Sequence, residues 1–558
     1  MTTPYTVADY LFDRLGELGV DTVFGVPGDF TLGLLDHIDD RDDLSWVGTA
    51  NELGAGYAAD GYARMRGVGV VCSTFGVGEL SAINAVAGAY AEHVAVLQLV
   101  GSPTEPVQAA GRPTHHSLGD GDFDHTLRMT VEVTVAQAKL TATTAPGEID
   151  RVLATMVALH QPGYLSLPAD VAEAPCTPPS GALAVPAATT DATVLRQFTA
   201  AALRLLDGRS PVVLADIYVH RAGAQDELDR FVKVGGLRYA SLLWGRRVVD
   251  ESGPGYLGLY LGAASSPEVR DAIENTACLV TAGVYFTDLI SGFFSQHLDA
   301  NVRIDLQPHT AVVAGEVFTG IEMSDALAAL TDVIPPADPA DTDPVPTPDA
   351  VPVADAVDAD SPLSQAVLWE RVATALTSSD IVLADQGTSF YGMAGQHLPH
   401  GAVFIGQPLW ASIGYTLPAI VGAAVAAPER RPVLLIGDGA AQLTIAELGT
   451  IIRLRIPAVI VVVNNNGYTV ERAIHGPDKA YNDIAAWNWT ALPAAFGGTP
   501  DTVRAHRATT ANELSAAFAD AAERPGMLTL IEAVTGELDV PPVLEAVAEA
   551  AARANTKS

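Results

Sequence analysis

The chain has 558 residues, which at roughly 100–200 residues per domain predicts about three domains. Hydrophobic residues make up 49% and charged residues 17%, a core-rich composition that excludes wholesale disorder. Asp and Glu number 66 against 31 Lys and Arg, a formal net charge of −35. Nucleic-acid phosphates and anionic lipid would repel such a chain, so neither is expected as a partner.

The run MTTPYTVADYLFDRL lacks the charged-then-apolar layout of a signal peptide, and no uninterrupted apolar run reaches about 18 residues. The expectation is a cytoplasmic protein without a membrane partner. Cys72, Cys176 and Cys278 are too few and too scattered for a disulfide framework or a thiolate metal site.

In chain order, Thr6–Leu18 has apolar residues at helical spacing (Val7, Tyr10, Leu11, Leu15, Leu18). A short strand, Asp21–Gly28, then runs into a tight turn. The apolar runs Val94–Val100, Val212–Ala215, Leu279–Ala282, Val433–Ile436 and Ala458–Val463 read as buried parallel strands. A weak break falls at Thr177–Thr190. From Pro335 to Pro362 there are eight prolines and seven aspartates with no Lys or Arg, which reads as a semi-extended linker. The expected organisation is an N-terminal domain (1–180), a central Rossmann-like domain (190–334), a linker (335–361) and a C-terminal domain (362–558). Strands alternating with helices predict an α/β fold of three doubly wound parallel-sheet domains. Ligands then belong beyond the carboxyl ends of the strands.

The strand Val433–Ile436 ends in Gly437-Asp438-Gly439. A helix is predicted over Leu443–Leu454, and the next strand ends in Asn464-Asn465-Asn466-Gly467. Asp438 and Asn465, 27 positions apart, thus reach one sheet edge through a βαβ unit. Carboxylate, amide and backbone carbonyl oxygens are hard ligands suited to Mg²⁺ shared with phosphates, and the glycines let the backbone approach a diphosphate. Alone, both stretches are also ordinary turn chemistry. Together they resemble the diphosphate motif of the thiamine diphosphate (ThDP) enzymes. The resemblance implies Mg²⁺ on Asp438, Asn465 and the Gly467 carbonyl, with Gly437, Gly439, Ala440, Tyr468 and Thr469 around the diphosphate. Asn466 occupies a slot that varies in the family.

ThDP enzymes need a carboxyl group against N1′ of the cofactor's aminopyrimidine. Glu52, opening the small-residue helix of Ala50–Arg64, is the candidate; a helix N-terminal Glu is also favourable to the helix dipole. Thr74 and Thr388 are further cofactor candidates. Gln407–Tyr415 resembles the segment that bends the cofactor, with Ile413 under the thiazolium and the Ala411 carbonyl receiving the 4′-amino group. Glycine is usual at the Ala411 position.

Arg112–Phe123 carries two adjacent histidines, His115 and His116, on a polar glycine-containing loop. On a strand they would face opposite ways. With the Gly-Asp-Gly-Asp-Phe turn that follows, they resemble the loop of the 2-oxo acid decarboxylases. Asp29 and Glu471 match that family's two catalytic acids. The whole chain is similar to the pyruvate/indolepyruvate/branched-chain 2-oxo acid decarboxylases. The resemblance implies release of CO₂ and an aldehyde, with Asp29, His115, His116 and Glu471 handling protons; imidazole and carboxyl groups suit such steps.

For the acyl pocket the resemblance implies Gln386, Phe390, Tyr391, Val470 and Ile474, with Val543, Val547 and Ala551 of a C-terminal helix as a receding wall. Phe390 should accommodate leucine- or phenylalanine-derived side chains and crowd an indole. Expected substrates are 4-methyl-2-oxopentanoate, 3-methyl-2-oxobutanoate and phenylpyruvate. Indolepyruvate or pyruvate decarboxylation, a carboligase of acetolactate synthase type and a silent ThDP-binding protein are the alternatives. Glu52 and the metal motif sit on different domains, which by the resemblance implies a homodimer at least and a homotetramer as the usual assembly. The central segment shows no sound dinucleotide fingerprint.

Overall fold

The computed structural model describes residues 4–337 and 360–555. Most of the expected linker, residues 338–359, therefore lies outside the described residues. Among the described residues, three sheets account for nineteen strands. In the first, β1 (Thr22–Gly25), β2 (Ser45–Gly48), β3 (Val68–Thr74), β4 (Ala95–Ser102), β5 (Ala136–Lys139) and β6 (Gly163–Pro168) are all parallel, in the order β2-β1-β3-β4-β6-β5. The central sheet holds β7 (Val212–Ala215), β8 (Arg238–Ser241), β9 (Tyr256–Leu259), β10 (Leu279–Ala282), β11 (Arg303–Gln307), β12 (Thr310–Val313) and β13 (Glu316–Thr319). Its order is β13-β12-β11-β10-β7-β8-β9, and β12 and β13 pair antiparallel. This sheet is thus mixed at one edge, where successive strands return through tight turns. The third sheet comprises β14 (Asp380–Ala384), β15 (Val403–Ile405), β16 (Arg431–Gly437), β17 (Val459–Asn464), β18 (Val503–Ala508) and β19 (Leu528–Val534). Its order, β15-β14-β16-β17-β19-β18, repeats the winding of the first sheet, again all parallel.

Strand periodicity explains how the domains join. Alternate residues of β14, β16 and β17 point to opposite faces. Ile381, Leu383, Leu434, Ile436, Ile460 and Val462 share a core with Tyr57, Ala58 and Tyr62 of the N-terminal domain. Val382, Ala384, Val433, Leu435, Val459 and Val461 share another with Trp244, Leu257 and Ile290 of the central domain. The C-terminal sheet is therefore covered on both faces, which is why its strands read as continuous apolar runs.

Across the first of these cores, helix Glu52–Arg66 packs on helix Thr416–Ala426. A Cβ on Gly61 would stand 2.1 Å from the Ala419 carbonyl oxygen, and one on Gly422 would stand 1.7 Å from that of Ala58. Only glycine at both positions permits this backbone contact. Beside it, the buried Arg64 donates to Asp60 (2.6 Å) and to the Gly406 carbonyl (2.8 Å). Glu92, also buried, accepts the backbone N–H groups of Leu409 (2.9 Å) and Trp410 (3.2 Å). The turn ahead of Ala411 is thus held from the N-terminal domain.

Helix Val7–Glu17 begins at a Thr6–Asp9 capping box, as its spacing predicts. The single helix expected over Leu443–Leu454 is instead two, Asp438–Thr444 and Glu447–Arg453. At the junction the N–H groups of Leu448 and Gly449 bond to carbonyls three residues back. This tightened turn breaks the α-helical ladder.

Candidate active site

The carboxyl ends of β16 and β17 lie side by side, with Gly437 in register with Val463. Asp438 follows at once, 2% exposed, accepting the N–H of Gly439 (2.8 Å) and of Gly467 (3.2 Å). Burial pushes its carboxyl up to about 6 despite those donors. One end of the buried Asn465 amide is 2.9 Å from the Gly467 carbonyl oxygen and 3.1 Å from Asp438 Oδ1. Oxygen at that end creates a nest of three oxygens with no donor between them, and a hard cation would satisfy it; nitrogen there bonds to both neighbours. The chain therefore brings together the three ligands expected of Asp438, Asn465 and Gly467. Asn466 adopts a left-handed φ of 58°, a conformation that asparagine tolerates better than most residues.

The floor of the site comes from 407–416. Ala411 has a left-handed φ of 55°, which accounts for glycine being usual there. Asp385, the residue after β14, is 1% exposed and accepts from Gly414 N (3.0 Å), Thr416 N (3.1 Å) and Thr416 Oγ1 (2.6 Å). It anchors the turn that carries Ile413, and burial lifts its carboxyl to about 6. Sequence reasoning passed over Asp385 although it precedes the predicted Gln386.

A cavity of about 270 Å³ opens at this edge. Its wall includes Gln386, Thr388, Tyr391, Ala411, Ile413, Gly437, Asp438, Gly439, Ala440, Asn465, Gly467, Tyr468, Thr469, Val470, Glu471, Ile474 and Val547, all expected. Three expected wall residues lie elsewhere. Phe390 is 1% exposed and packs behind the wall, its ring 5.9 Å from that of Phe404 and against Gly406. Two residues from Thr388 along a helix is about 200° around the axis, so Phe390 faces away while Tyr391 returns to the wall. On the last helix, Pro542–Asn555, Leu544 and Val547 line the cavity, Val543 packs near Gly395, and Ala551 is buried a turn further on. Leu289 and Phe293 of the central domain complete the wall. No sequence pattern marked them; Phe293 and Phe294 both have left-handed φ (59° and 55°), outside any periodic element.

The remaining expected residues gather at the carboxyl edge of the first sheet. A Cβ on Gly78 would lie 3.2 Å from both Glu52 Oε1 and Thr74 Cγ2, so Glu52 and Thr74 are neighbours. Thr74 Oγ1 is buried and has no hydrogen-bond partner among the described residues. Gly28 packs on Thr74, which brings Asp29 to the same edge. Asp29 Oδ2 is 2.9 Å from His115 Nε2. The two histidine rings lie 4.6 Å apart, because His116 takes a left-handed φ of 66°. Adjacent residues that would diverge on a strand thereby converge. None of Asp29, Glu52, Thr74, His115 or His116 lines the cavity of the same chain. One chain presents two half-sites, both bordered by exposed apolar residues: Val77 (54%) and Leu80 (37%) near the first, Trp410 (40%), Leu443 (56%) and Ile474 (41%) near the second.

Three family models match: "Thiamine pyrophosphate enzyme, N-terminal TPP binding domain" over residues 5–125, its central domain over 198–321 and its C-terminal TPP binding domain over 387–533. They define a three-domain enzyme that uses thiamine diphosphate, and the three-oxygen nest and the unpartnered Thr74 hydroxyl suit that cofactor's polar groups. An alpha-keto-acid decarboxylase of Mycolicibacterium paratuberculosis is 53% identical over 540 residues, 97% of this chain and 95% of the relative. One from Mycobacterium tuberculosis is 53% identical over 545 residues, 97% and 96% of the two chains. The chain belongs to this family of ThDP-dependent 2-oxo acid decarboxylases, and is a carboxy-lyase. Solved structures share the fold: a Rhodococcus jostii ThDP-dependent 4-hydroxybenzoylformate decarboxylase (TM-score 0.75, 20% identity, 95% of this chain and 99% of that one) and a thiamin diphosphate-dependent enzyme from Mycobacterium smegmatis (0.74, 23%, 96% and 100%). Among the described residues no helix is long and apolar enough to cross a membrane.

Proposed function

We propose that the enzyme converts branched-chain and aromatic 2-oxo acids, among them 4-methyl-2-oxopentanoate, 3-methyl-2-oxobutanoate and phenylpyruvate, to the aldehyde and CO₂, with Mg²⁺ as the metal. Such acids arise from amino acids, so the reading includes a role in amino-acid catabolism, with the enzyme in the cytoplasm. The observation that carries the substrate class is the apolar arc of Leu289, Phe293, Tyr391, Val470, Leu544 and Val547 facing the diphosphate edge. An arc of this kind favours a bulky aliphatic or phenyl group over a methyl. Because Phe390 stands behind the wall, Leu289 and Phe293 set the limit for an indole.

When bound, the cofactor would supply a carbon nucleophile and a sink for the electron pair left on the substrate carbon as CO₂ departs. Asp438, Asn465 and the Gly467 carbonyl would hold Mg²⁺, whose charge would offset that of the diphosphate. The Ala411 carbonyl and the Ile413 side chain, both on the cavity wall, would receive the cofactor's amino group and support its ring. Glu52 holds a proton at N1′. Asp29, His115, His116 and Glu471 move protons at the substrate carbon, and the apolar arc excludes water and disfavours the substrate's carboxylate charge. Since Glu52 and the Asp438 cavity belong to separate half-sites, two copies must pair to complete each site. A homodimer is the minimum and a homotetramer the expected assembly. The domain limits 1–180, 190–334 and 362–558 with linker 335–361 are part of this reading.

Aldehyde formation coupled to an alcohol dehydrogenase, measured with ThDP and Mg²⁺ over a panel of 2-oxo acids, tests the proposal. The expected order is branched-chain and phenyl substrates above pyruvate. A clear preference for pyruvate would overturn the substrate class.

A further inference from the structure

Asp29, His115 and His116 have a geometry that proton transfer alone does not require. One ligating atom from each lies within 4.8 Å of the other two. Zinc sites place N and O donors about 2.0–2.1 Å from the ion, which puts tetrahedral ligands roughly 3.4 Å from one another. His115 Nε2 and Asp29 Oδ2, at 2.9 Å, are already inside that span. A small side-chain rotation of the third donor closes the rest. Two constraints keep the donors converged. The Phe30 ring stacks on His115 at 5.1 Å and 17°, and meets His116 edge-on at 6.4 Å. The left-handed backbone at His116 then turns the second ring onto the first.

We propose that this triad is a transition-metal site, selective for Zn²⁺ over Mg²⁺, and that its occupation switches the enzyme off. Two imidazole nitrogens and one carboxylate suit Zn²⁺, whereas Mg²⁺ prefers an all-oxygen shell and keeps its waters. The diphosphate nest, built of oxygens alone, has the opposite preference, so one chain holds two sites that sort the two metals. Three protein ligands leave a fourth position for water. Bound there, Zn²⁺ occupies the lone pairs that His115, His116 and Asp29 need for moving protons. The inhibitory part rests on the catalytic reading given above; the binding part does not.

The test uses the full-length enzyme loaded with ThDP and excess Mg²⁺, titrated with Co²⁺ as a spectroscopic stand-in and then with Zn²⁺. The expected results are a visible Co²⁺ band of low-coordinate character saturating at one ion per chain, its displacement by Zn²⁺, and loss of turnover that a chelator reverses while Mg²⁺ remains. His115→Gln, His116→Gln and Asp29→Asn are each expected to weaken Co²⁺ binding by at least about tenfold. Thermal unfolding of each variant checks that it is folded. A band that persists unchanged in all three folded variants, or no binding in the parent, overturns the site. Stoichiometric binding with full turnover leaves the site standing, and overturns both the inhibition and the catalytic role of the triad.

Discussion

Glu447 offers a stringent test of how the C-terminal domain positions the helix that carries Glu52. It opens helix Glu447–Arg453, is 1% exposed, and its carboxyl is pushed up by burial. Oε1 accepts the Ala50 N–H at 3.0 Å and Oε2 accepts from Thr450 Oγ1 at 2.7 Å. The Ala50 N–H lies two residues before Glu52, on the chain entering its helix. Glu447→Ala removes that half-buried hydrogen bond, at a cost of roughly 0.5–1.5 kcal/mol, besides the lost packing. At roughly 2–4 °C per kcal/mol for a domain of this size, the melting temperature should fall by several degrees. A displacement of Glu52 by about 1 Å would also cost about 100-fold in kcat. Glu447→Gln keeps an acceptor for Ala50 and offers Thr450 a donor in place of an acceptor, so it should retain most of both properties.

Gly54 sharpens the test. A Cβ there would stand 2.1 Å from Glu447 Oε1. Alanine gains about 1 kcal/mol over glycine inside a helix and less in the first turn, where Gly54 lies, yet Gly54→Ala should destabilise. In the Gly54→Ala/Glu447→Ala double variant the methyl group enters vacated space, so the two losses should partly cancel by about 0.5–3 kcal/mol. Thermal melts and the coupled aldehyde assay read both effects. Strict additivity, or wild-type kcat in Glu447→Ala, would refute the positioning argument.

Phe390→Ala should cost about 3–5 kcal/mol of stability as a core truncation, with substrate preference unchanged; a swing towards indolepyruvate at little cost would mean that Phe390 does reach the substrate. Phe293→Ala should widen the wall and raise kcat/KM for indolepyruvate relative to 3-methyl-2-oxobutanoate by roughly tenfold, a ratio steady-state kinetics reads directly. Asp216, at the end of β7, is fully buried, and burial lifts its carboxyl to about 8. Between its ordinary 3.8 and about 8 the folded chain holds a proton that the unfolded chain releases, so stability falls as pH rises through that window. Asp216→Asn should therefore gain on the parent by up to ~1.4 kcal/mol per pH unit there, and lose that advantage below it; parallel pH-stability curves would contradict this.

What the sequence showed of the site depended on how local the signal is. Asp438 and Asn465 were legible because each ends a strand whose both-face burial gives an unbroken apolar run, and a crossover of fixed length joins them. Glu52 was legible as the acid opening a small-residue helix, and the smallness of that helix now has a cause in the Gly61–Gly422 crossing. Leu289 and Phe293 were not legible, since they belong to another domain and to backbone without a period. Asp385, Glu447 and Glu92 read as commonplace acids; their importance lies in the backbone N–H groups they meet, and for Glu447 and Glu92 those lie hundreds of residues away in the chain. Phe390 was misjudged by one angular step of a helix, which no resemblance at the level of residue type can correct.

The separation of Glu52 from the Asp438 cavity within one chain has a consequence for inheritance. Under the pairing proposed above, a Glu52→Gln allele and an Asp438→Asn allele are each null alone. A mixed pair of the two products contains one site with neither lesion and one with both. Random pairing makes half the dimers mixed, so co-expression should restore about a quarter of parental activity. Two recessive defects in one gene would then complement each other, and a cross between mutants could mistake a single locus for two.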